Sequence, residues 1–109
     1  MIYEVITTEQ AEDDLRSVYK YIAFELLAPD HAKGQLERLE KYIFGLEEFP
    51  ERFRQYEKEP WHSRGLRVMP VDNYLVFYIP DKGTATVTII RVVYAGRDVD
   101  KQLKDYTIR

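Results

Sequence analysis

The spacing of apolar and polar positions changes period several times along the chain, and each change marks an element. Ile2, Glu4 and Ile6 alternate with Tyr3, Val5 and Thr7, which predicts a short strand over residues 2–7, apolar on much of both faces and therefore internal to a sheet. Thr7 and Gln10 then fit the S/T-x-x-E/Q capping box, and Glu9, Glu12, Asp13 and Asp14 put negative charge where a helix dipole is positive. Ala11, Leu15, Val18, Ile22 and Leu26 recur at steps of three and four, with Tyr19 and Ala23 beside them. That stripe predicts a first helix with one apolar face, ended by Ala28-Pro29. Asp30 is placed to cap a second helix carrying Leu36, Leu39, Ile43 and Leu46. Two such helices joined at a Pro-Asp turn form an antiparallel hairpin, and their apolar positions are core.

Periodicity lapses from Phe49-Pro50 to Ser63, where aromatic and charged residues interleave in an irregular segment. Strands resume over residues 65–71, 73–80 and 84–94, with Asp72-Asn73 making the first reversal and Pro80-Asp81-Lys82-Gly83 the second, so an antiparallel meander is expected. In the middle strand Leu75, Phe77 and Ile79 share one face, suited to a helix-covered core, and Tyr74, Val76 and Tyr78 share the more open one. The last strand is β-branched almost throughout, as a central strand is. After Ala95-Gly96-Arg97, the spacing of Val99, Leu103 and Tyr106 predicts a short C-terminal helix. With no repeat, low-complexity tract or linker, residues 1–109 read as a single α+β domain of order β-α-α-β-β-β(-α).

Charge changes this picture more than composition does. The net charge of −3 comes from 16 Lys+Arg against 19 Asp+Glu. It is polarised: residues 1–59 hold 8 basic and 14 acidic side chains, residues 60–109 hold 8 and 5. The acidic excess falls on the predicted helices and the loop after them, leaving a basic sheet side that could face a polyanion. No apolar run approaches the roughly 20 residues of a membrane span, so a soluble protein without membrane contact is expected. There is no cysteine, and Met1-Ile2-Tyr3-Glu4 carries no basic export signal, which fits a cytoplasmic location.

Several chemistries lack their residues. None of the five glycines stands in a phosphate-loop pattern, and His31 and His62 are too far apart and too poorly accompanied for a metal site. Ser17 lies mid-helix, and Ser63 cannot be oriented by the adjacent His62. No metal or cofactor is expected. What remains is Arg64 and Arg67 at the first strand of the meander, Arg91 in its last, and Arg97 just beyond it, close to Tyr94. A guanidinium on a rigid element can hold phosphate oxygens in pairs without exchanging a proton. Arg91, flanked by Ile89, Ile90, Val92 and Val93, is better read as pairing with the acidic helices. Arg64, Arg67 and Arg97 stay as candidates for a phosphate.

In their order along nearly the whole chain, several segments resemble the RelE/ParE superfamily of bacterial type II toxins. They are the opening strand running into Glu9-Gln10-Ala11-Glu12-Asp13-Asp14-Leu15, then Tyr21-Ile22-Ala23, Leu46-Glu47-Glu48-Phe49-Pro50, Arg64-Gly65-Leu66-Arg67-Val68, Asn73-Tyr74-Leu75-Val76-Phe77-Tyr78, and the run from Ile90 to Asp98. The resemblance implies a twisted antiparallel sheet packed against an α-helical hairpin, and a cognate antitoxin whose C-terminal segment wraps the toxin in a hetero-oligomer. It also implies one of two targets. Ribonuclease members act as mRNA interferases, cleaving mRNA on the ribosome without metal; gyrase members poison DNA gyrase by binding. By the same resemblance Arg67 and Arg97 match basic residues of the ribonuclease site, Tyr94 lies near a His or Tyr position, and Glu59 before Pro60 matches a loop carboxylate that serves as base. Where ribonuclease members start the middle strand with Arg, this chain has Tyr74, a hydrogen-bond donor without positive charge. For RNA cleavage, Arg67 and Arg97 take the phosphate charge with Arg64 assisting, Tyr94 or Tyr74 donates, and Glu59 or His62 is the base. A toxin of either kind, or a catalytically inactive module that only pairs with an antitoxin, fits the resemblance.

Overall fold

The computed structural model describes residues 1–96 and 98–106, with the side chains of Asp105 and Tyr106 excepted. The chain runs β1 (Glu4–Thr7), α1 (Glu9–Lys20), a π-helical turn (Tyr21–Glu25), α2 (Pro29–Phe44), 3-10 turns at Gly45–Glu47 and Pro50–Arg52, β2 (Arg67–Val71), β3 (Tyr74–Asp81), β4 (Thr86–Tyr94) and α3 (Val99–Tyr106). One sheet of order β1-β4-β3-β2 results. The meander β2-β3-β4 is antiparallel as expected. β1 instead joins β4 in parallel, which makes the sheet mixed and β1 an edge strand rather than an internal one. Its two apolar faces have separate causes: Tyr3 and Val5 pack into the core beneath the helices, whereas Ile2 and Ile6 stay 61% and 41% exposed. The internal strand is β4, as its β-branched run predicts.

The helix ends depart from the sequence reading by a residue or two, for local reasons. The cap of α1 is Thr8, not Thr7: its Oγ1 accepts the Ala11 N–H at 3.2 Å and donates to the Ile89 carbonyl at 2.8 Å, so the cap also ties the helix to β4. Thr8→Ala is expected to lower stability by about 1–2 kcal/mol, read as a lower urea midpoint at constant m-value. α2 starts on Pro29, whose missing N–H is one the first turn leaves unpaired anyway, and Asp30 lies inside that turn instead of capping it. After Lys20 the backbone widens into the π-helical turn and Leu27 takes φ 51°. The apolar stripe therefore ends at Ala23, and Leu26 is 56% exposed.

The sheet is buried on both faces. Ala11, Val18, Leu39, Ile43 and Leu46 of the hairpin and its following turn pack on Met69, Val76, Tyr78, Val87 and Ile89. Leu66, Val68, Phe77 and Val93 form a second cluster with Leu103 of α3, flanked by Tyr56 and Trp61. The hairpin thus covers the Tyr74/Val76/Tyr78 face, the reverse of the sequence expectation. Both residue sets are apolar, so alternation separates the faces without saying which layer covers which. No described helix is long and apolar enough to cross a membrane.

Candidate functional site

The site residues hang on the ends of β4, β3 and β2 and on the loop before β2. Arg91, in β4, is 5% exposed. Its Nε lies 2.6 Å from Asp14 Oδ2 and its Nη2 3.0 Å from Oδ1, a paired contact between sheet and α1. Nη1 donates to the Gln102 carbonyl of α3 at 2.8 Å, and Asp14 Oδ2 also accepts the Val92 N–H at 2.9 Å. The expected pairing of Arg91 with the acidic helices is therefore realised, with Asp14 as partner. One signal singled out that residue: it falls three positions after Ala11 and four before Val18, on the buried stripe, while Glu12 and Asp13 point elsewhere. A guanidinium held on two sides by a carboxylate and a carbonyl serves the fold first.

A groove of about 980 Å³ opens beside this pair, between the hairpin turn and the end of the sheet. Tyr21, His31, Asn73, Tyr74 and Tyr94 line it together with Gln102, whose Nε2 is buried without a hydrogen-bond partner among the described residues. Tyr74 and Tyr94 are partners across β3 and β4, and their rings meet edge to face with centroids 5.8 Å apart. Burial raises the Tyr74 phenol above its ordinary value, and the neighbouring Tyr94 and Tyr21 add to this. Tyr74 therefore remains a neutral donor. Tyr94 is 46% exposed, and Arg97, three residues on, lies outside the described residues.

The other candidates are elsewhere. Arg67 stands opposite Tyr78, four residues and so about 13 Å along β3 from Tyr74. Its Nη1 donates to the carbonyls of Glu51 at 3.0 Å and Phe53 at 2.7 Å, fastening the loop that Tyr78 also holds through Pro50 O at 2.5 Å. Arg64 precedes β2 in a turn completed by Gly65 at φ 81°, with its guanidinium carbon 5.1 Å from the centre of the Trp61 ring. Glu59 accepts from Ser63 Oγ at 2.7 Å and Ser63 N at 2.9 Å, and His62 Nδ1 lies 3.8 Å away. Those side-chain and backbone bonds from Ser63 hold the Glu59 carboxyl below the usual carboxylate range, which makes it a weaker base. Among the described residues no group of three His, Cys, Asp or Glu could hold a metal ion.

One cluster escaped the sequence reading. Tyr56 Oη and Lys58 Nζ both bond the Asp100 carboxylate, anchoring α3 to the loop. The Lys58 bond, then the Tyr56 bond, lower the Asp100 carboxyl, and Asp100 in turn raises Lys58. A lowered carboxyl stabilises fully above its unfolded value of about 3.9 and loses that contribution as pH falls through the folded value. A raised lysine stabilises below about 10.4 and loses its contribution as pH rises through the folded value. Docking of α3 should be flat between those limits and loosen beyond them, followed by the fluorescence of Trp61 in the cluster that α3 covers. No sequence period links Asp100 to a loop more than forty residues earlier, so nothing could have paired them.

A family model described as the ParE toxin of the type II toxin-antitoxin system, parDE, matches residues 5–99. The chain belongs to this ParE toxin family. The match runs from β1 into the first residue of α3, so it takes in the tyrosine pair, Arg67 and the Arg91–Asp14 pair. Among solved structures, the chromosomal ParDE toxin-antitoxin system from P. aeruginosa is similar with TM-score 0.69 and 16% identity, covering 85% of this chain and 96% of that one. The RelBE2 toxin-antitoxin complex from Mycobacterium tuberculosis gives 0.64 and 23%, covering 86% and 99%. The archaeal RelE-RelB complex from Pyrococcus horikoshii OT3 gives 0.60 and 20%, covering 90% and 100%. At these identities the likeness is one of fold. A comparison with curated protein sequences finds no match. As a ParE-family toxin the chain shares the fold of these structures, and its Arg91 is fastened to Asp14 and the Gln102 carbonyl and its Arg67 to two loop carbonyls.

Proposed function

We propose that this ParE-family chain acts in the cytoplasm as the toxin of a type II pair, is neutralised by a cognate antitoxin, and arrests growth by binding DNA gyrase without cleaving RNA. One observation carries the reading: the described basic and acid-base candidates do not converge. Arg91 is ion-paired, Arg67 is bonded to two loop carbonyls, Arg64 lies over Trp61, and Tyr74 occupies the strand position near the groove. Cleavage of a phosphodiester needs preorganised positive charge at the developing phosphorane and a base of matched pKa. Among the described residues Arg91, Arg67 and Arg64 belong to separate places, and Glu59 is pulled down.

Expression in cells, with mRNA ends and gyrase-linked DNA breaks mapped together, tests this. The expected result is trapped gyrase breaks, uncut message, and growth arrest unchanged within about twofold in Glu59→Gln, since an unused base contributes nothing to the barrier. Codon-phased mRNA cleavage that disappears in Arg97→Ala would establish the ribonuclease reading instead. Harmless expression without antitoxin would leave only the pairing module.

A further inference from the structure

The side of the hairpin away from the tyrosine groove carries a second groove, of about 500 Å³, running along α1 and α2 at the end of β1. Leu15, Tyr19, Leu36 and Phe44 supply its apolar part, and Phe44 is 58% exposed. Glu12, Arg16 and Lys20 follow one another on α1 at four-residue steps, hence on one face, and Glu40 lines the groove from α2. Arg16 is paired with Asp13. Glu12, Lys20 and Glu40 make no ion pair among the described residues. Since the two helices are antiparallel, Glu40 stands at the Glu12 end. The groove is therefore acidic at one end and basic at the other, with Glu12 and Lys20 about 12 Å apart along the helix.

We propose that this groove is a self-association surface, and that a second copy of the chain docks on it hairpin to hairpin about a two-fold axis near Arg16. A two-fold axis across the groove inverts its polarity. It sets Glu12 and Glu40 of each copy against Lys20 of the other and closes Leu15 and Leu36, which lie at the level of the axis, on their counterparts, the self-complementarity that an isologous contact requires. Arg16 meets its own copy at the axis with its charge already offset by Asp13. A partner helix of one sign would meet like charge at one end or the other, which disfavours it. The helices offer a face about 24 Å long and about 20 Å wide, short of the roughly 800 Å² per partner of a standard interface. An interface below that size falls among weak, transient contacts, so the dimer is expected to form only at high protein concentration.

Sedimentation equilibrium of the full chain over about 5–200 μM provides the test. The expected result is a monomer–dimer equilibrium that Lys20→Glu weakens at least tenfold, Glu12→Lys weakens similarly, and the double exchange Glu12→Lys/Lys20→Glu largely restores. Both single changes oppose the dipole of α1, so any folding defect would deepen in the double variant, where the proposal requires recovery. A chain monomeric at the highest concentration, or a dimer indifferent to the single reversals, overturns the proposal. So does a monomeric toxin whose reversals weaken the antitoxin complex instead, because the groove would then belong to the antitoxin.

Discussion

Asp14→Ala is expected to destabilise the fold by about 3–5 kcal/mol, a large part of the roughly 5–15 kcal/mol available to a domain of this size. The change removes one partner of a pair whose side chains are only 6% (Arg91) and 16% (Asp14) exposed, so a guanidinium is left buried without its carboxylate. It also removes the acceptor of the Val92 N–H in the internal strand. Asp14→Asn keeps an amide oxygen able to accept that N–H, and its loss should be clearly smaller. The difference between the two variants isolates the charge. Denaturant midpoints at unchanged m-value measure the global effect, and amide exchange in α3 measures the local one, since Arg91 also holds the Gln102 carbonyl. A change under about 1 kcal/mol for Asp14→Ala would mean that water reaches the pair and screens it.

Element order, the meander, the central place of β4 and the burial of Arg91 against an acidic helix were all legible in the sequence, because each depends on a period or on the cost of an unpaired charge. The edge position of β1 was not. Tyr3, Val5, Ile2 and Ile6 look alike by hydropathy, and only the parallel pairing with β4 shows that one pair is covered and the other left in water. The caps moved for a similar reason: Thr7 and Thr8 are equivalent locally, and it is the distant Ile89 carbonyl that selects Thr8. For the site, the sequence named residue types well and their grouping poorly. Arg67 and Tyr74 are seven apart in number, yet the register of β2 and β3 puts Arg67 beside Tyr78 and the loop at Glu51 to Phe53. Register is a property of the paired strands, so a single strand's pattern cannot supply it.

Phe77→Ala should show most directly that α3 closes over the second face of the sheet. Had the α3-side face of the sheet been the open one, trimming a side chain there would cost little. Phe77 is instead fully buried, in a cluster with Leu66, Val68, Val93 and Leu103, and its ring meets Tyr56 edge to face at 5.4 Å and 90°. Removing it is expected to cost about 3–5 kcal/mol, the transfer of the ring plus the cavity left behind. Tyr56→Phe keeps both rings and gives up only the Oη bond to Asp100, for about 1 kcal/mol. A large first effect beside a small second one assigns the stability of this face to ring packing under α3. Comparable effects would assign it to the hydrogen-bonded anchor, and a small Phe77→Ala effect would mean that α3 does not close over the sheet in solution. The first outcome fits a sheet packed on both described faces, by the hairpin on one side and by α3 with the loop before β2 on the other.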